Sequence, residues 1–111
     1  MNTSYFAIAS KDPNAVSISL VSPKFAKGIR EYKKLAPTSE LLFKIKNKYI
    51  THEEYEEIYN EEVLGLLDPV EVYAELGPDA IICCWEKSSF CHRHIVARWL
   101  EHNLGIEITE K

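Results

Sequence analysis

The sequence predicts an α/β fold, with a small mixed, largely parallel sheet of about four strands flanked by about four helices. Three features carry that expectation. Residues 80–85 (Ala-Ile-Ile-Cys-Cys-Trp) are a continuous apolar run of strand length, the pattern of a strand buried on both faces. Helix-start signals recur at Thr38 or Ser39, at Thr51 with Glu54, and at Asp68 with Pro69, each offering a side chain or a fixed φ suited to a first turn. Segments with strand and helix periods alternate toward the carboxyl end, which favours parallel strands joined by helical crossovers. With 111 residues, 46% of them hydrophobic, the chain suits one domain, 1–111, that buries roughly 65% of its unfolded surface and needs no staples.

Residues 3–9 and 15–21 are short, rich in β-branched and aromatic residues, and separated by the turn-forming Ser-Lys-Asp-Pro-Asn of 10–14, so both read as strands. The link is shorter than an ordinary helical crossover, which leaves an antiparallel hairpin, the preferred reading, or non-adjacent members of one sheet. In the second strand Val16, Ile18 and Leu20 alternate with Ser17 and Ser19, giving it one buried face. Residues 22–37 contain the breakers Pro23 and Gly28 and the aromatics Phe25 and Tyr32. A loop this long is expected to be ordered over something, and it is placed beside the functional site.

A helix over 38–47 would bury Leu41, Leu42 and Ile45, and a second over 51–67, opened by the capping box, would bury Tyr55, Ile58, Tyr59, Val63, Leu66 and Leu67, by i, i+3, i+4 spacing. A third, short helix runs from Asp68 to Leu76 and stops at Gly77-Pro78. After the central strand, 90–103 reads as the last helix, with Ile95, Val96, Trp99 and Leu100 inward and Gly105 as its C-terminal cap. Ile106, Ile108 and Thr109 make a closing strand, so 80–109 is expected to form a right-handed parallel crossover.

The net charge of −4 argues against bulk nucleic-acid binding, yet the charges are unevenly divided. Between 22 and 37 lie Lys24, Lys27, Arg30, Lys33 and Lys34 against Glu31, whereas 51–76 carries nine acids and no Lys or Arg. The acidic run is expected to be a solvated helix surface. No apolar stretch reaches the ~20 residues of a membrane span and no signal peptide is evident, so the expected location is the cytoplasm, with no membrane partner. Three cysteines, two of them adjacent, make a poor disulfide framework and are expected as free thiols.

The reactive side chains concentrate in the strand-to-helix turn 84–94. Ligands on open α/β sheets bind beyond the carboxyl ends of strands, where helix N-termini offer free N–H groups. Ser88 or Ser89 is expected to cap the last helix, with Cys91 in its first turn beside Arg93, an environment that stabilises a thiolate. Cys91 is thus the candidate nucleophile or a packed small residue. Glu86 is a candidate base and Arg93 an anion clamp, or the two brace the turn as an ion pair. Cys83 and Cys84 face opposite sides of their strand, and His92 and His94 cannot share a helix face. Zinc ligation by Cys84, Cys91 and a histidine would need unusual geometry and lacks a paired knuckle, so no metal and no cofactor is expected. P-loop, dinucleotide and nucleophile-elbow motifs are absent from the sequence.

Cys84-x-Glu86, then four residues, then Cys91-His92-Arg93 and an apolar helix ending in Trp99-Leu100 resembles the signature of the domain of unknown function 488 family. The opening at 3–7, the strand 17–19 followed by Pro23-Lys24-Phe25, and the stretch 32–38 resemble small members of that family in the same order. The resemblance implies a small α/β domain and no established activity. It implies that Tyr5, Lys24, Tyr32, Lys33, Glu86, Cys91, His92 and Arg93 occupy motif positions converging at one sheet edge. Where the family pattern has an arginine and an aromatic before Pro23, this chain has Leu20, Val21 and Ser22, so an anion site there would depend on Arg30 or Lys24.

The leading expectation is a pocket for a small anionic, phosphate-bearing or nucleotide-like ligand. Arg93 and His92 would stand at the turn, Lys24, Arg30 and Lys33 would surround the anion, and Tyr32 or Tyr5 would stack on a ring. The alternatives are a thiol-dependent enzyme with Cys91 as nucleophile and Glu86 or His92 as base, and a partner-binding or regulatory, phage-type protein acting through its acidic helix surface.

Overall fold

The apolar run forms a strand at Ile81–Cys84, with all four residues buried. The computed structural model describes residues 1–85 and 90–111. The other strands are Asn2–Tyr5 (β1), Ala15–Ser17 (β2), Arg30–Glu31 (β3) and, after the central β4 just given, Thr109–Glu110 (β5). They make one sheet in the order β3-β2-β4-β1-β5, and every pairing is parallel. Five helices accompany them among the described residues: Phe6–Ala9 (α1), Ser39–Lys46 (α2), His52–Glu62 (α3), Pro69–Leu76 (α4) and His92–Leu104 (α5). The chain is therefore α/β, with one strand and one helix more than the pattern suggested.

The two faces of β4 separate the core into unequal halves. Ile82 and Cys84 join Leu41, Tyr55, Tyr59, Val72, Val96 and Leu100 from α2 to α5 in the large cluster. Ile81 and Cys83 pack with Phe6 and Ala9 of α1 in the small one. Period-two geometry requires this division of neighbouring cysteines. Ile18, Ile82, Val96 and Leu100 have no exposed surface, and burying each such side chain stabilises by about 1.5–3 kcal/mol. Tyr59 is equally buried and satisfies its hydroxyl by donating to the Leu35 carbonyl at 2.6 Å, which ties the basic loop to α3.

Local signals set the helix ends. Thr38 accepts from the Leu41 N–H, Thr51 and Glu54 form both halves of a capping box, and Asp68 caps α4 with Pro69 in its first turn. Gly105 closes α5 at φ 65°, the left-handed conformation glycine adopts without penalty. No described helix is long and apolar enough to cross a membrane.

Several expectations need correction. β1 and β2 are not a hairpin: both pair with β4, from opposite sides. Residues 6–9, expected to extend the first strand, coil into α1. The connection suffices because β1 has four residues and β2 three, so residues 6–14 return only about 13 Å and step sideways about 10 Å. The expected long second helix ends at Glu62 and gives way to a 3-10 turn at Leu64–Leu66, which turns Leu66 outward to 80% exposure. β3 was not anticipated in the basic loop. Cys91 is the N-cap residue of α5, with no side-chain cap bond, rather than a first-turn residue; Ser88 and Ser89, the expected caps, lie outside the described residues.

Candidate functional site

A crevice of about 630 Å³ opens beside the segments that follow β2 and β4, the carboxyl ends where open parallel sheets take ligands. Ser19, Leu20 and Val21 leave β2 on one side, and Trp85, Phe90, Cys91 and His92 follow β4 on the other. Pro37, Leu42, Ile45 and Lys46 come from the α2 region, and His52 and Tyr55 from α3. The walls are chiefly apolar and aromatic. His52 stacks on Phe90 with ring centres 3.7 Å apart and planes within 3°, Tyr55 meets Phe90 edge-on, and the Trp85 indole N–H donates to the Val21 carbonyl at 2.7 Å. Ser19 is only 4% exposed, and its hydroxyl has no hydrogen-bond partner among the described residues. Such a group costs about 1–3 kcal/mol when buried unpaired. Lys46 is the one Lys or Arg lining the crevice among the described residues.

His92 and Cys91 bring a nitrogen and a sulfur to its wall. The His92 ring is buried, with Nε2 2.8 Å from the Ile18 carbonyl oxygen. A carbonyl only accepts, so the proton is on Nε2 and the lone pair is on Nδ1. That nitrogen stands 3.7 Å from Cys91 Sγ. Burial pushes the His92 pKa down to about 4; the Ile18 hydrogen bond opposes the shift and the Arg93 charge adds to it. The ring is therefore neutral near pH 7.

Cys91 is joined to Cys84 in a disulfide with Cα atoms 7.2 Å apart, which corrects the expectation of three free thiols. Cys83 remains free on the opposite face of the strand, its thiol pushed up to about 11, chiefly by burial. The ligand atoms of Cys84, Cys91 and His92 all lie within 4.8 Å of one another.

Arg93 has no exposed surface. Its Nη2 and Nε donate to the two Glu110 carboxylate oxygens at 2.8 and 3.2 Å, its Nη1 reaches Cys84 Sγ at 3.3 Å, and its guanidinium lies 5.9 Å from the Tyr5 ring centre. Burial of Glu110 opposes its ionisation, but hydrogen bonds from Arg93 and Thr3 outweigh this and hold its pKa below the ordinary value. Arg93 braces α5 against β5 and β4 and does not line the crevice, unlike the anion clamp expected from sequence.

Of the residues nominated from sequence, the structure brings Cys91 and His92 to the crevice, while Tyr5 lies against Arg93 away from it. The cations of the basic loop do not line the crevice among the described residues. Arg30 donates to the Glu75 and Leu76 carbonyls, and Tyr32 donates to the Glu75 carboxylate. Lys33 reaches the Ser19 and Leu20 carbonyls and pairs with Glu31 at 3.0 Å. Lys24 lies in a shallow depression between Ser22 and Glu31. Charge pattern located the cations without naming their partners, and the carboxyl end of α4 is where several of them point. Glu86 lies outside the described residues. Sequence reasoning missed Ser19, Lys46 and His52 as lining residues, and Glu110 as a partner of Arg93; Trp85 stands in the turn 84–94 that it singled out. Only Ser19 carried a signal, as a polar residue at the end of a strand.

Residues 9–104 match the family DUF488-N3a, described as the Active DUF488-N3 subclade. Neither a curated protein nor a solved structure matches the chain.

Proposed function

The chain belongs to the domain of unknown function 488 family, and we propose that it binds a small, ring-bearing ligand in the crevice beside β2 and β4. The observation that carries this reading is the buried Ser19 hydroxyl, unpartnered among the described residues, in the wall of an aromatic-lined cavity of about 630 Å³. Pockets of this size with few polar groups are typical of small-molecule sites. The His52–Phe90 stack and Trp85 would flank a flat ring, whose polar edge would pair with Ser19. An anionic or phosphate-bearing substituent, as in a nucleotide-like ligand, would meet Lys46, the one Lys or Arg in the lining among the described residues. The test is mass spectrometry of the chain under native conditions after purification, followed by calorimetry with nucleosides, nucleotides and sugar phosphates. Saturable binding that Ser19→Ala and Ile45→Trp weaken at least about tenfold supports the site, since tenfold corresponds to one lost hydrogen bond of about 1.4 kcal/mol. Binding unaffected by both substitutions refutes it.

A second reading, thiol-dependent catalysis, is favoured by the 3.7 Å approach of His92 Nδ1 to Cys91 Sγ. Once the disulfide is reduced, His92 is oriented by Ile18 to take the thiol proton, the arrangement of an activated nucleophile. Rapid iodoacetamide labelling of Cys91 in the reduced protein, slowed by His92→Gln, is the expected result; labelling at the rate of a free thiol in both proteins contradicts it.

A further inference from the structure

We propose that reduction of the Cys84–Cys91 disulfide creates a site for a thiolate-seeking divalent ion of the zinc class, held by Cys84 Sγ, Cys91 Sγ and His92 Nδ1. From sequence alone, zinc ligation by Cys84, Cys91 and a histidine is not expected, because the spacing matches no paired knuckle and two ligands are adjacent in the chain. The fold supplies the juxtaposition: β4 ends with Cys84 and α5 begins at Cys91-His92 beside it, with all three residues buried and their ligand atoms within 4.8 Å of one another.

Four geometric features point to a metal. Tetrahedral zinc, with bonds of about 2.3 Å to sulfur and 2.05 Å to nitrogen, places those two ligand atoms roughly 3.6 Å apart. Cys91 Sγ and His92 Nδ1 are already 3.7 Å apart. A metal-bound histidine usually donates its other ring N–H to a fixed acceptor, which sets the tautomer; here Nε2 is anchored to the Ile18 carbonyl at 2.8 Å. The Cα atoms of Cys84 and Cys91 are 7.2 Å apart, wider than the about 4.4–6.8 Å disulfides usually span, so the main chain favours separated sulfurs. Finally, Arg93 Nη1 approaches Cys84 Sγ at 3.3 Å, the kind of outer hydrogen bond that steadies a metal thiolate.

Charge balance favours the same occupant. A divalent cation with two thiolates is neutral, and Glu110 offsets the charge of Arg93. Two thiolates without an ion would leave a double negative charge in a buried setting, which is costly. The steps balance: a phosphine or dithiol reductant supplies two electrons, two protons are taken up to give two thiols, and the ion displaces both protons on binding. The described residues supply three ligands, and a zinc ion held by three protein ligands keeps a fourth position, the arrangement of a working rather than a structural site; Cys91 and His92 also line the crevice. The ion site goes beyond the crevice reading, since it stands whether or not an organic ligand enters.

The test uses the full chain, reduced with a phosphine and freed of metal by a chelator, then titrated with Co²⁺. The expected result is one ion per chain, the visible absorption of tetrahedral cobalt and a thiolate-to-cobalt charge-transfer band, both abolished by Zn²⁺. Cys84→Ser should weaken cobalt binding by at least about 100-fold, the upper end of what outer partners alone contribute. Cys83→Ala should leave it unchanged. If Cys84→Ser fails to fold by circular dichroism, the wild-type protein decides: Zn²⁺ should slow iodoacetamide labelling of Cys91. A reduced wild-type chain with no tetrahedral cobalt spectrum and no zinc protection of Cys91 overturns the proposal, as does cobalt binding indifferent to Cys84→Ser. Cobalt binding by a chain that takes up no organic ligand upholds the ion site while removing the crevice reading; the reverse pattern removes only the ion site.

Discussion

Replacing Glu110 by glutamine tests how α5 is held in place. The substitution removes the carboxylate facing a guanidinium that has no exposed surface, while keeping an acceptor oxygen and nearly the same shape. Removing one partner of a fully buried ion pair typically costs about 3–5 kcal/mol. The Glu110 side chain is 38% exposed and glutamine retains one hydrogen bond, so the expected cost falls to roughly 2 kcal/mol. For a chain of this length that lowers Tm by about 8 °C. Arg93→Met removes the charge that needs the carboxylate, so Glu110→Gln on that background should cost no more than about 0.5 kcal/mol, a coupling of about 1.5 kcal/mol in a double-mutant cycle. Urea unfolding of the four proteins measures it. The dependence on pH has a definite sign. Because the folded-state pKa of Glu110 is held below its ordinary 4.5, its contribution is fully present above that value and is lost as pH falls through the folded-state pKa. The gap between wild type and Glu110→Gln should therefore close in acid. Additive effects in the cycle, or a gap independent of pH, would refute the assignment of Arg93 as a brace paired with Glu110.

Three further outcomes follow from the same structure. Gly105→Ala should destabilise by about 1–2 kcal/mol, as read by thermal melts, because φ is 65° while an added Cβ would meet nothing within 4 Å; the cost is conformational alone. Ser19→Ala should leave stability unchanged or raise it by up to about 1 kcal/mol, since the hydroxyl it removes is unpartnered; a large loss in urea unfolding would show that the hydroxyl is already engaged. In the reduced, metal-free protein at neutral pH, iodoacetamide should modify Cys91 and spare Cys83, whose thiol is pushed up to about 11, whereas denaturant should expose all three thiols to mass-spectrometric detection.

Features encoded within a few residues were legible in the sequence. The caps at Thr38, Thr51 and Asp68 and the stop at Gly105 depend on contacts one turn away, and each was read correctly. The central strand was legible because burial on both faces leaves no alternation. What depends on distant partners was not. Whether β1 and β2 pair with each other or with β4 is decided by residues more than sixty positions downstream, and the two-residue β3 has no periodicity to read. Leu66 fits a helical stripe but turns outward because the helix ends before it. The site divides the same way: Trp85, Cys91 and His92 stand in one turn, whereas Ser19, Lys46 and His52 reach the crevice on separate elements. Arg93 reads from sequence as an anion clamp or as the partner of Glu86, because Glu110, its carboxylate partner among the described residues, lies beyond the whole of α5. The basic loop adjoins the crevice through Pro37 and through Lys33 on the Ser19 and Leu20 carbonyls, whereas Glu75, which binds Arg30, Tyr32 and Lys34, is about forty residues away.

The central claim is that the crevice beside β2 and β4 is a working site, and its most direct test is a fragment screen by nuclear magnetic resonance on the reduced, isotope-labelled chain. Ring-bearing fragments should shift the Trp85 indole N–H, the Tyr55 ring and the His92 ring together and saturably, with Ser19→Ala reducing the effect. Shifts confined to other surfaces, with those three groups unmoved across the library, would contradict it.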